Sequence, residues 1–223
     1  MCYLCLRKSL NKMDEPQLCW YAMKVFYNKV FEMEACLGAQ GYTTYLATDK
    51  VLLKGEDHGA ARRKLECLKA DGLPCNRYVE EGPVIYQRVP MISSLLFVQA
   101  GAEGIAAIDN TLHEGKYPAQ GFIYKVRNDK DGRYRFAVIP DSEMASFRRI
   151  TSKGSDGLEF FSADDISRFC TGNKVRVIEG PFKGAEGYIK RIRRDRRLLV
   201  TIEGIVAIAT AYIEPRFLET IGQ

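Results

Sequence analysis

Residues 172–192 read GNKVRVIEGPFKGAEGYIKRI. Val175 and Val177 alternate with polar neighbours, a Gly180-Pro181-Phe182 break follows, and Gly184 and Gly187 lead into a second run with Ile189 and Ile192. Glycines at 180, 184 and 187 permit positive φ and close backbone approach, which a tight turn between two strands requires. Phe182 is then placed to plug the end of the sheet. Downstream, 198–202 and 206–212 follow as further short apolar runs. About 50 residues of closely spaced strands with glycine-rich turns predict a small β-barrel.

Upstream of this hairpin the pattern changes. Residues 19–26 (CWYAMKVF) are aromatic and β-branched enough for a strand. Asn28 is placed to cap a helix in which Val30, Met33 and Leu37 recur at helical spacing, with Gly38 and Gly41 as stop signals. Residues 41–47 return to strand composition. Residues 49–81 hold a polar stretch, a helical run at 60–70 and a Gly72-Leu73-Pro74 break, and read as an insertion. Two strands (83–89 and 94–99), a helix carrying Ile105, Ile108 and Leu112, and a hairpin around Asp131-Gly132 come next. Pro140 opens a last short helix, and 151–157 (TSKGSDG) marks a boundary. The expected class is α+β. An extension at 1–18 precedes a mixed, largely antiparallel sheet with helices at 19–150, a linker at 151–168 and the barrel at 169–223.

The 223 residues carry 33 Lys plus Arg against 28 Asp plus Glu, a net charge of +5, with 46% hydrophobic residues. That composition is globular and excludes disorder. The best uninterrupted apolar run, 205–213, falls far short of the roughly 20 residues of a membrane helix, so no membrane partner is expected. Arg7, Lys8 and Lys12 precede no apolar core, so no export signal is read. Seven cysteines are an odd number without a small-scaffold spacing, which fits reduced thiols in a cytoplasm. Cys2 and Cys5 form a lone CxxC, and His58 and His113 are the only histidines, so neither a metal nor any other cofactor is expected. The chain lacks a P-loop, a nucleophile elbow and an HExxH motif, and the adjacent acids Asp164-Asp165 and Glu80-Glu81 read as solvated; no catalysis is expected. From residue 172 onward, ten basic residues stand against six acidic ones, so most of the net charge lies there. Lys190, Arg191, Arg193, Arg194, Arg196 and Arg197 crowd one turn in which Asp195 is the single acid, a pattern suited to the phosphates of a nucleic acid.

The segment at 172–192 resembles the KOW motif, with Gly172, Val175, Val177, Gly180, Pro181, Phe182, Gly184, Gly187 and Ile189 as the matching positions. Residues 20–25 (WYAMKV), 94–98 (SLLFV) and 121–123 (GFI) resemble, in order, the N-terminal domain of NusG, called the NGN domain. Within that superfamily the chain is most similar to the UpxY branch of Bacteroides-type bacteria. The stretches that carry this are ISSLLFV (92–98), IPDSEM (139–144) with Phe147, GPFKGAEGY (180–188) and AIATAYI (207–213).

The resemblance implies an NGN domain followed by an SH3-like KOW barrel. It implies an antiterminator that joins elongating RNA polymerase near the start of a capsular polysaccharide operon. An apolar patch would dock on the clamp helices of the largest polymerase subunit, with Leu95, Phe97 and Phe122 at the corresponding positions. Some positions depart from the family: the proline after the second strand is missing at Ala47-Thr48, and the 49–81 insertion is long. Ala106-Ala107-Ile108 stand where a specialised member carries the His-Thr-Thr that touches the opposite jaw of polymerase. Glu203 stands before Gly204 where housekeeping NusG has the Phe that docks a ribosomal protein, so ribosome contact loses its residue. Two alternatives remain open: a ribosome-associated KOW-type RNA-binding protein, and a general housekeeping NusG.

Overall fold

The computed structural model describes residues 17–162, 174–192 and 195–221. An antiparallel sheet forms the centre of the N-terminal half. In it β1 (Cys19–Val25) lies between β6 (Leu95–Ala100) and β7 (Gly121–Ile123), and β2 (Thr43–Tyr45) pairs with the far side of β6. Strand alternation gives this sheet two apolar faces. Tyr21, Met23, Leu96 and Val98 pack against helices α1 (Val30–Ala39) and α3 (Ala102–His113). Trp20, Ala22, Leu95 and Phe97 point the other way, toward α4 (Asp141–Thr151). The helical spacings read in the sequence bury Val30, Met33 and Leu37 in α1 and Ile105, Ile108 and Leu112 in α3.

The start of α1 differs from expectation. Asn28 makes no cap; it and Tyr27 take positive φ, 55° and 59°, and Lys29 occupies the cap position without a side-chain hydrogen bond. Asn tolerates the left-handed region, and here that property turns the chain.

The stretch expected as an insertion forms its own layer. β3 (Thr48–Leu52), β5 (Val84–Pro90) and β4 (Tyr78–Glu81) make a three-stranded sheet in that order, and α2 (Gly55–Ala70) covers it through Ala61 and Leu65 on Ile85. One polar cluster ties this layer to α1. Arg88 donates two bonds to the Glu34 carboxylate, at 2.9 and 3.0 Å, and one to the Asn76 carbonyl at 2.7 Å. The Asn76 amide donates to Glu34 at 2.7 Å and to the Phe31 carbonyl at 2.8 Å. The expected hairpin around Asp131-Gly132 is β8 (Lys125–Arg127) with β9 (Tyr134–Phe136), and Gly132 takes φ +67°.

The C-terminal half is a six-stranded antiparallel sheet: β10 (Glu159–Ser162), β14 (Val206–Tyr212), β13 (Asp195–Ile202), β12 (Glu186–Ile192), β11 (Lys174–Val177) and β15 (Leu218–Thr220), in spatial order. The α+β class is therefore observed. Instead of the expected barrel, the described strands form an open ladder, with β10 and β15 at its two ends. β10 lies inside the stretch read as a linker; Phe160 pairs with Ile208 in a non-local contact that local composition does not encode. The other residues of that stretch from 163 onward, and the 1–16 portion of the extension, lie outside the described residues.

Alternation again produces two faces. Leu199, Ala207 and Ala209 are capped by Phe161 and Ile192. Leu198, Val200, Ile202, Val206 and Ile208 join Trp20, Phe97 and Phe147 in one continuous core, so the two halves are packed on each other through α4. Among the described residues, no helix is long and apolar enough to cross a membrane.

Candidate functional site

Leu95 and Phe97, which the resemblance puts on the docking strand, are 6% and 1% exposed. Both stand on the β6 face that meets α4, where the Phe97 ring lies 5.0 Å from that of Phe147. Strand period fixes that they share a face, but not whether a helix covers it. Phe122, in contrast, is 43% exposed on the outer strand β7. Its ring lies 6.0 Å from Phe26 and 5.2 Å from Tyr124, and Tyr27 extends the row from the Phe26 side. Tyr124 also lines a groove of about 420 Å³ between the halves, with Lys24, Ile92, Leu95, Phe160 and Val206. Phe122 is a position the resemblance singles out, whereas Phe26, Tyr27 and Tyr124 join it only in the structure. The aromatic density of 20–27 and 122–124 was the available signal.

The glycine turn is built largely as its sequence requires. Gly180 and Gly184 take φ +85° and +83°. Phe182 is partly buried against the shared core, and Val175 and Val177 are buried. Pro181 is exposed. Gly187 has no positive φ; its role is close approach, because a Cβ there would collide with the Leu199 carbonyl oxygen on the neighbouring strand. Gly187→Ala is therefore expected to cost about 3 kcal/mol, the upper end of the overpacking range. Urea unfolding would measure it, and an unchanged midpoint would show that β12 and β13 can separate without penalty. Gly172 lies outside the described residues.

The seam between the halves has a polar component. Ser146 on α4 accepts a hydrogen bond from the Glu186 N–H at 3.0 Å, and its hydroxyl donates to the Ser142 carbonyl at 2.8 Å. Glu143 accepts from the Glu203 N–H at 3.4 Å. Burial pushes the Glu143 carboxyl above its ordinary value; the Glu203 N–H opposes this, the Glu203 carboxylate adds to it, and Lys174 opposes it. Glu186 shifts down, chiefly through its bond from Arg176.

These two acids give opposite pH dependences. A raised native pKa means that Glu143 stabilises most below the ordinary carboxylate range, and the contribution is lost as pH rises through its native value. Glu186 contributes above the ordinary range and loses that contribution as pH falls through its lowered value. Glu143→Gln is expected to flatten the decline of the urea midpoint just above the carboxylate range. An unaltered profile in that variant would remove Glu143 as its source.

The basic turn is only partly free. Arg191 faces Arg196 and Lys190 faces Arg197 across the β12–β13 hairpin. Arg191 and Arg196 are exposed and Lys190 is half-buried. Arg197 folds inward onto Glu159 of β10 at 3.0 Å, with its side chain 18% exposed, so it is a structural ion pair and not an open phosphate contact. Arg193 and Arg194 lie outside the described residues. Cys19, Cys36, Cys67 and Cys75 are free thiols. No group of three or more His, Cys, Asp or Glu is placed to hold a metal among the described residues.

No protein-family model matches the chain, and no curated protein matches it. The functional reading therefore rests on the residues and their geometry.

Proposed function

We propose that this chain is a NusG-type regulator of transcription elongation, acting by binding rather than by bond chemistry. In this reading it docks on the clamp helices of the largest RNA polymerase subunit. By bridging the cleft it disfavours clamp opening, and with it pausing and premature termination. The operon class is that of the UpxY antiterminators, capsular polysaccharide synthesis.

The observation that carries the reading is the exposed aromatic row Phe26, Tyr27 and Phe122 beside the groove floored by Leu95. A row of exposed aromatic side chains beside a groove lined in part by Lys24 has the character of a protein-docking surface in general physical terms. Arg191 and Arg196 supply a sequence-independent contact to leader RNA or upstream DNA. The halves cover Leu95 and Phe97 while packed, so docking through Phe122 uses the part of this surface that is open.

The test is retention of core RNA polymerase from a Bacteroides-type extract by the full chain, beside a Phe26→Ala/Phe122→Ala variant. Both side chains are substantially exposed, so the variant is expected to keep its fold while losing most of the retained polymerase. Equal retention by both proteins would sink the assignment of this surface. Recovery of ribosomal subunits instead of polymerase would favour the ribosome-associated reading.

A further inference from the structure

A second basic surface lies where the halves meet, apart from the β12–β13 turn. Arg148, Arg149, Ser152 and Lys153 from the last turn of α4 and just beyond it form one wall of a concavity of about 590 Å³. Tyr45 of β2 forms its side, and Pro181 and Lys183 of the glycine turn form the opposite wall. All four cations are exposed, and no carboxylate lines the concavity.

Two of these cations are held in place by their surroundings. The Arg148 guanidinium lies over the Trp20 and Tyr45 rings, at 5.7 and 5.2 Å. The Tyr45 hydroxyl is itself anchored to Thr151 at 2.6 Å. Arg149 rests against Gly184, where a Cβ would stand 2.5 Å from its Nη1. Stacking and close packing of this kind fix a guanidinium without neutralising it.

The helix dipole accounts for cations at the end of α4, because unsatisfied carbonyls attract positive charge within the last turn. It does not account for Lys183, which arrives from the other half of the molecule into the same concavity. Like charges gathered there repel one another, and a run of phosphates relieves that repulsion while releasing counterions. The concavity is open to solvent rather than enclosed, which suits a polymer lying across it better than a small molecule held inside.

We infer that this trough binds the phosphate backbone of a single-stranded nucleic acid, and that the site is complete only while the two halves are packed together. Binding there favours the packed arrangement by mass action, since a separated C-terminal half removes Lys183 from the site. The inference does not depend on polymerase docking.

The experiment is fluorescence anisotropy of the full chain with a labelled oligouridylate of about 12 nucleotides, within the span of single-strand binding modules. Lys153→Glu tests the helix wall and Lys183→Glu the loop wall. Lys29→Glu and Lys130→Glu are exposed controls with the same change in charge. Each trough variant is expected to weaken binding roughly fivefold or more, each control less than about twofold, and the double trough variant to lower the salt slope by about 1.4, some 0.7 per lost single-strand phosphate contact. The oligonucleotide is also expected to raise the melting temperature of wild type by more than that of Lys183→Glu. Trough variants that behave like the controls would overturn the site. Weakening by Lys153→Glu alone would overturn its composite nature. Displacement of the oligonucleotide by tripolyphosphate at equal phosphate concentration would overturn the polymer as ligand.

Discussion

Phe97→Ala is expected to destabilise the protein by about 3–5 kcal/mol, the cost of removing a large aromatic side chain from a closed core. Phe97 is 1% exposed and its ring packs on Phe147, which in turn stacks edge-on against Tyr45. The same core contains Val200 and Ile208 of the C-terminal sheet, so the loss is shared between the halves. The single tryptophan, Trp20, sits in that core and reports on it by fluorescence. Urea unfolding followed at Trp20 and by amide exchange in β13 and β14 is expected to show one coincident transition, displaced to lower urea in the variant. Separate transitions in wild type would contradict a shared core. The result also bears on function: a polymerase-binding defect in Phe97→Ala reports the fold, whereas the same defect in Phe122→Ala reports the surface.

Glu34→Ala is expected to cost about 3 kcal/mol, the low end for breaking a buried ion pair by removing one partner. The side chains of Arg88 and Glu34 are 19% and 13% exposed, and Glu34 is the common acceptor of Arg88 and Asn76. Removing it leaves the Arg88 guanidinium against the Phe31 ring without its carboxylate, and leaves the Asn76 bond to the Phe31 carbonyl as what remains of that polar cluster's tie to α1. Limited proteolysis is expected to cut the variant within 53–90 well before wild type. Glu34→Leu/Arg88→Met is expected to recover most of the loss, since two apolar groups leave no charge without a partner. Equal resistance of the Ala variant and wild type would show that the layer is held by other contacts.

The sequence made the regular elements legible where burial imposes a period. SLLFVQ, with four consecutive apolar residues, reads as an interior strand, and β6 is paired on both sides. α3 follows from helical spacing and α4 from Pro140 ahead of it. Local pattern fails where a partner is remote. β10 looks like part of a linker because what makes it a strand is β14, more than forty residues later. Leu95 and Phe97 alternate correctly, yet alternation is silent on which face a later helix will take. Arg148, Arg149 and Lys153 read as an ordinary helix end, and only the arrival of Lys183 makes them part of a trough. Arg197 reads in sequence as one more cation of the basic turn, and the fold brings Glu159 beside it.

The shared core also sets an order of events at the ribosome. Phe97 and the strand that carries it are complete long before β14 exists, since Ile208 lies more than a hundred residues further on. At about 5–20 residues per second, the N-terminal sheet waits on the order of ten seconds for the strands that complete its second face. During that interval the nascent chain presents to its surroundings an apolar surface that the finished molecule keeps shut.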